Sequence, residues 1–475
     1  MKRMAAFLLC ASCTQIQNLG FDGTRSSGDG GSASDASSAA DAGRDGSAST
    51  DAEAPGGPTA TLMNVTGASC AISAGSVKCW GSNSSGILAS GTSVVDVRGD
   101  APGEMGAALP RALLGTVGSA VALFGGYRSM CARFDDGRLK CWGVNDTGQL
   151  GLGDLQNRGN DVAGLGNFLP FVDLGSGRAV THMDMGRDSA CAALDNGAVK
   201  CWGRHHGSYP VGIMDEVLGD EPGEMGDALP PVSLGGGRFA VATALGTNFQ
   251  CVLFRDGDIK CWGQGVYGAL GRNDGASGVP GGILGDALDA VPLGSGLRAE
   301  AVAAGDSHVC AIVSSATVKG AVKCWGHNDV GQLGLGDVRN RGDQANQMGD
   351  ALPFVGLGVG RSARAIDAAA DRTCVLLDDG NVKCWGSNQG GGLGLGDQKI
   401  YGTLPGNSGD ALPPVDLGAK ASAITMSFDH ACARLVGGAI KCWGVAAFLG
   451  LGTSDGTLGD APGEMGAALP VVDVP

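Results

Sequence analysis

Apolar residues along this chain come in short runs broken by Gly, Asp and Asn. Between Ala120 and Gly175 the runs are AVALFGG, CARF, RLKCW and, after a long Gly-rich loop, LPFVDLG at Leu169–Gly175. Runs of this length bounded by turn residues predict four β-strands. Later in the chain AVATALG, CVLF, DIKCW and ALDAVPLG repeat the order. The second cysteine of the motif recurs at Cys79, Cys141, Cys201, Cys261, Cys324, Cys384 and Cys442, at intervals of 62, 60, 60, 63, 60 and 58 residues. Seven copies near sixty residues are too long for helical solenoid units and suit propeller blades of four strands. The expected fold is all-β: a seven-bladed β-propeller over residues 59–475, preceded by a disordered linker. Its blades fall near 59–115, 119–175, 179–235, 239–294, 299–358, 364–418 and 421–475.

The turn between the second and third strands fixes the geometry of the cysteines. If Cys131 opposes Cys141, Phe134 faces Arg138 and Asp135-Asp136-Gly137 is a three-residue loop with glycine at its left-handed position. The same count places Gly197, Gly257, Gly380 and Gly438 third in their loops, while the first copy has a two-residue Ala74-Gly75 turn. Counting outward, each cysteine pair falls at a non-hydrogen-bonded site, where opposed residues approach closely enough for a cross-strand disulfide. The expected bridges are Cys70–Cys79, Cys131–Cys141, Cys191–Cys201, Cys251–Cys261, Cys310–Cys324, Cys374–Cys384 and Cys432–Cys442. Zinc would favour Cys-x2-Cys spacing or histidines nearby and redox chemistry Cys-x-x-Cys, so both are weaker readings of these more widely spaced pairs. The lysine and tryptophan of each Lys-Cys-Trp share the strand face opposite the cysteine. Each lysine stem is expected to lie along apolar surface with its ammonium in water.

Sixteen cysteines among 475 residues suit an oxidising compartment. Lys2 and Arg3 precede the short apolar run MAAFLLCA, and Ala11-Ser12-Cys13 is similar to a lipoprotein cleavage box, although Cys10 stands where leucine is usual. Residues 1–13 are therefore expected to be a signal segment with Cys13 as the lipidated residue, and 14–58 a Gly/Ser/Ala/Asp-rich tether. A lipid on Cys13 would be the only membrane contact and would place the protein in the bacterial cell envelope, at the outer membrane or cell surface; a plain cleaved signal, leaving the protein secreted, is the alternative. The net charge of −15 carries no basic stripe, which argues against nucleic-acid partners.

CWGVNDTGQLGLGD at Cys141–Asp154, CWGHNDVGQLGLGD at Cys324–Asp337 and CWGSNQGGGLGLGD at Cys384–Asp397 resemble the repeat of the regulator of chromosome condensation family. The resemblance covers residues 59–475 and implies a seven-bladed propeller. Of the histidine that the family places two residues before the first cysteine, His308 and His430 remain, and they are expected to be structural. The family's namesake exchanges nucleotides on a small GTPase, an activity at odds with the export signals here and matched by no motif. Phosphate-binding, zinc-protease and nucleophile-elbow motifs are missing, and no cofactor is expected. The Asp of LGLGD is expected to cap a turn. Expected function is therefore non-catalytic: a tethered, monomeric propeller that binds a protein or glycan. An inhibitor of an extracellular or periplasmic enzyme is the alternative, with nucleotide exchange third. Binding residues are sought where copies differ, in the loops after the third strand, where His205, His206, Tyr209 and Tyr267 form the candidate patch.

Overall fold

The computed structural model describes residues 62–92, 96–204, 217–273 and 284–474. Seven antiparallel sheets of three or four strands follow one another along the chain, so every blade is one continuous segment. The first strands, Leu62–Val65, Ala120–Gly125, Val180–Met185, Ala240–Leu245, Arg298–Ala304, Ala363–Ala369 and Ala421–Met426, pack against one another and form the inner wall. The first blade meets the seventh directly, closing the ring. Asn64 donates through its backbone N–H to Thr425 Oγ1 at 3.2 Å and through Nδ2 to the Thr425 carbonyl at 3.1 Å.

The hairpin geometry follows from turn chemistry. Phe134 N–H donates to the Arg138 carbonyl, Gly137 N–H donates to the Phe134 carbonyl, and Gly137 has φ +83°. A residue with a Cβ is strained there, so glycine sets the register that brings Cys131 opposite Cys141. All fourteen propeller cysteines are joined in the expected seven bridges, with Cα atoms 4.0–4.1 Å apart. That spacing belongs to the close, non-hydrogen-bonded site of an antiparallel ladder.

The fourth strand is less regular than the apolar runs predict. In all seven blades it is reduced around its valine or arginine to single ladder contacts, such as Val172 N–H to the Leu139 carbonyl and the Val382–Val415 bridge. Proline accompanies this in every blade: Pro110, Pro170, Pro230, Pro353, Pro413 and Pro470 remove a donor just before the contact and Pro292 just after it, which only an edge strand tolerates. At the other end of the third strand, two-residue strands Val97–Arg98, Val217–Leu218 and Thr457–Leu458 add a separate short pairing.

The tryptophans and lysines join blade to blade. Trp142, Trp202, Trp325, Trp385 and Trp443 are buried, and each Nε1–H donates to a carbonyl in the Gly-rich loop of the preceding blade, at 2.7–3.1 Å. Trp80, at the closure, has no acceptor for its indole N–H, because the loop it meets in the seventh blade is two residues shorter than its counterparts.

Six of the seven lysines, all but Lys78, are buried, contrary to the expectation from the strand pattern that their ammonium groups lie in water. Lys140 donates to the carbonyls of Leu114 and Gly166, both at 2.8 Å, so it ties the first blade to the second. Lys260, Lys323 and Lys441 repeat this pair of hydrogen bonds to the carbonyls of Leu234 and Gly285, Leu293 and Gly349, and Leu417 and Gly466. Burial lowers the affinity of Lys140, Lys260 and Lys323 for their protons. Two fixed carbonyl dipoles offset part of that desolvation.

Candidate interaction face

Most polar residues of the repeat are consumed by its own loops. Asn145 accepts Leu150 N–H and donates to the Asp154 carbonyl; Asn328 and Asn388 do the same in their blades. The LGLGD aspartates cap turns as expected, Asp154 accepting Gln156 N–H and Asp337 accepting Arg339 N–H. Arg158 and Arg341 also hold these aspartates, at 2.6 and 2.7 Å, and Tyr401 takes that place in the sixth blade by donating to Asp397 at 3.0 Å. In the GEMG segments Glu224 and Glu464 fold back onto three successive backbone N–H groups, and Gln347 replaces the carboxylate in the fifth blade. These repeated residues build the scaffold and leave little for a ligand.

The buried histidines are latches between blades. His308 Nε2 lies 2.9 Å from Thr373 Oγ1 of the next blade, and His430 Nε2 lies 2.7 Å from Ser69 Oγ across the closure. Asp429 Oδ1 is 2.7 Å from His430 Nδ1, so Asp429, His430 and Ser69 have the connectivity of a hydrolase triad. Ser69 and His430 are fully buried, however, and no substrate carbonyl can reach that hydroxyl. Asp184 and Asp367, on inner strands, are equally enclosed. They accept Leu245 and Met426 N–H from the neighbouring blades. Among the described residues, no group of three His, Cys, Asp or Glu is placed to hold a metal ion.

The face at which first strands turn into second strands is different in character. The turn of each blade begins with a close backbone approach and then presents one or two residues that vary between copies: Tyr127-Arg128, Arg187-Asp188, Thr247-Asn248, Asp306-Ser307, Asp371 and Phe428-Asp429. Because the third strand ends on this side, the variable loops leave from it too, and Val144 and Arg204 donate back to the turn carbonyls of Arg128 and Asp188. Tyr127 lies between two guanidinium groups, with Arg128 Cζ 5.7 Å and Arg187 Cζ 5.5 Å from its ring centroid. Tyr267, half exposed, stacks on His327 of the next blade with centroids 4.1 Å apart. Its backbone has φ +60°, a left-handed conformation that the sixth blade gives to Gly390. Gln332 donates to His327 Nδ1 and to Asp371, whose carboxyl is pushed up by burial.

Of the residues expected to bind a partner, Tyr267 is thus on this face, while His205, His206 and Tyr209 lie outside the described residues, as does Cys13. Tyr127 escaped the sequence reading because it sits in a two-residue turn, not a long loop. The signal available was that these turn positions change identity from copy to copy.

The model of the regulator of chromosome condensation (RCC1) repeat matches residues 300–332 and 364–391, in the fifth and sixth blades. These two blades carry regulator of chromosome condensation repeats. The ultraviolet-B receptor UVR8 of Arabidopsis thaliana is 28% identical over 287 residues, covering 58% of this chain and 56% of the receptor. The chain thus spans about half the length of the curated relatives it matches. Among solved structures, Prp20p of Saccharomyces cerevisiae superposes with a TM-score of 0.55 at 20% identity, covering 85% of this chain and 86% of Prp20p. Human WBSCR16 gives a TM-score of 0.58 at 16% identity over 80% of this chain and 87% of its own. These structural likenesses establish the repeat propeller and carry no activity with them.

Proposed function

We propose that this repeat propeller is a non-catalytic binding protein, tethered outside the cell by a lipid on Cys13, that engages a partner protein through the turn face. The observation that carries this reading is the placement of Tyr127, Arg128, Arg187, Tyr267 and His327. These residues break the repeat, are large and planar, and share one face, whereas the repeated polar residues are internally satisfied. Planar aromatic and arginine side chains supply contact area at low entropy cost, which is why they concentrate in protein interfaces.

Photo-crosslinking on intact cells tests the proposal. A photoreactive phenylalanine analogue at Tyr127 or Tyr267 should capture one partner. The same analogue at Val436, on the opposite hairpin tips, should not. Capture from Val436 alone would place binding on the other face and overturn the assignment. Should the captured partner be a hydrolase whose activity is lost in the complex, the propeller acts as its inhibitor.

A further inference from the structure

The turn face is electrically uneven, and on one half of it two guanidinium groups are held against a ring with little neutralisation. Acids outnumber bases in this chain, 48 to 33, and several arginines find a close carboxylate. Arg98, Arg138, Arg158, Arg238, Arg341 and Arg361 each lie 2.6–3.4 Å from one. Arg128 is exposed and has no ion pair with any described residue, and the carboxylate recorded for Arg187, Asp188, stands 3.9 Å away. Both guanidinium groups instead flank the Tyr127 ring, which orients them by cation–π attraction without neutralising them. Across the channel mouth, the same turns of blades five, six and seven contribute the largely buried Asp306, Asp371 and Asp429, while blade three places Asp188 beside Arg187.

Resting on the reading that this face binds a protein, we propose that Tyr127, Arg128 and Arg187 form the anchor for a carboxylate-bearing segment of the partner. Two forked guanidinium groups suit planar carboxylates, each able to accept two parallel N–H bonds. The acidic half of the rim limits how far such a segment extends. A long polyanion lying across the mouth meets Asp371 and Asp429, and the net charge of −15 adds to that repulsion. A short acidic stretch confined to blades two and three avoids both and meets there Asp188, which stands beside Arg187.

Fluorescence anisotropy of labelled hexaglutamate with the full chain tests this at low salt. Binding should weaken at least tenfold in Arg128→Gln/Arg187→Gln, weaken less in Arg128→Lys/Arg187→Lys, which keeps the charge and loses the fork, and fall as salt rises. Hexalysine should not compete for the same arginines. Undetectable hexaglutamate binding, or binding indifferent to the glutamine variant, overturns the proposal. So does tighter binding of a single-stranded oligonucleotide, which would assign the cluster to phosphates. A salt-sensitive dimer abolished by the glutamine variant would assign it to a second copy. Unchanged thermal unfolding of both variants checks that folding is not the cause. Capture of a partner from Tyr127 or Tyr267 is read independently, so loss of hexaglutamate binding with capture retained refutes the anchor chemistry and leaves the binding face standing.

Discussion

Acidification from pH 7 to pH 5 should destabilise the propeller through two histidines held neutral between blades. Thr243 N–H already points at His182 Nδ1 from 3.2 Å, so a proton on that nitrogen would face a donor. Thr373 Oγ1 donates to the Gln332 carbonyl and therefore accepts from His308 Nε2, leaving His308 Nδ1 buried without a partner for a second proton. Burial, aided by Arg133, pushes His182 down to about 4, and burial, aided by His327, pushes His308 down to about 3. An unfolded chain takes up these protons near pH 6.5, whereas the folded chain resists them. The unfolded state then binds more protons below that pH, and stability falls from about pH 6.5 towards the folded values. At pH 5 each histidine contributes a loss of about 2 kcal/mol, or about 4 kcal/mol together, from 1.36 kcal/mol per unit over roughly 1.5 units. The assay is guanidinium unfolding at both pH values for the natural chain and for His182→Gln/His308→Asn. Both proteins retain Asp371 and the other titrating groups, so the comparison isolates the histidines. Equal pH dependence in the two proteins, or a steeper one in the variant, would refute the reasoning.

Replacing Cys131 and Cys141 together by serine should cost about 2–3 kcal/mol, the chain-entropy value for a closed loop of about ten residues, read from the denaturant midpoint. Unreduced, denatured propeller made in an oxidising compartment should show essentially no free thiols from the fourteen propeller cysteines. Lys140→Ala leaves the Leu114 and Gly166 carbonyls without their donor and should cost about 1–3 kcal/mol, whereas Lys78→Ala should cost less, because Lys78 reaches the Gly106 carbonyl only at 3.5 Å. Tyr267→Gly relieves a left-handed backbone worth about 1–2 kcal/mol, so stability should be nearly unchanged by thermal unfolding while crosslinked partner capture falls. Labelling cells with palmitate should mark the full-length chain and not Cys13→Ser.

Sequence alone determined the fold, the blade count and the seven bridges, because each follows from local rules repeated seven times. Glycine at a three-residue turn sets the register, and register decides which cysteines face each other. The same locality explains where the reading failed. A lysine flanked by cysteine and hydrophobic residues looks like a side chain that snorkels to water. What buries Lys140 is Leu114, 26 residues back and in another blade, whose carbonyl reaches the ammonium only once the ring is assembled. The shortened strand at the blade edge was partly legible, since the prolines stand in plain view beside the predicted runs. Tertiary structure decided which variable residues share a face. Tyr127 and Arg187 are sixty residues apart and belong to different repeats, and only the rotation from one blade to the next sets one ring between two guanidinium groups. A repeating sequence specifies each blade through short-range turns and alternation. The surface where seven blades meet depends on packing between repeats, which no single repeat encodes.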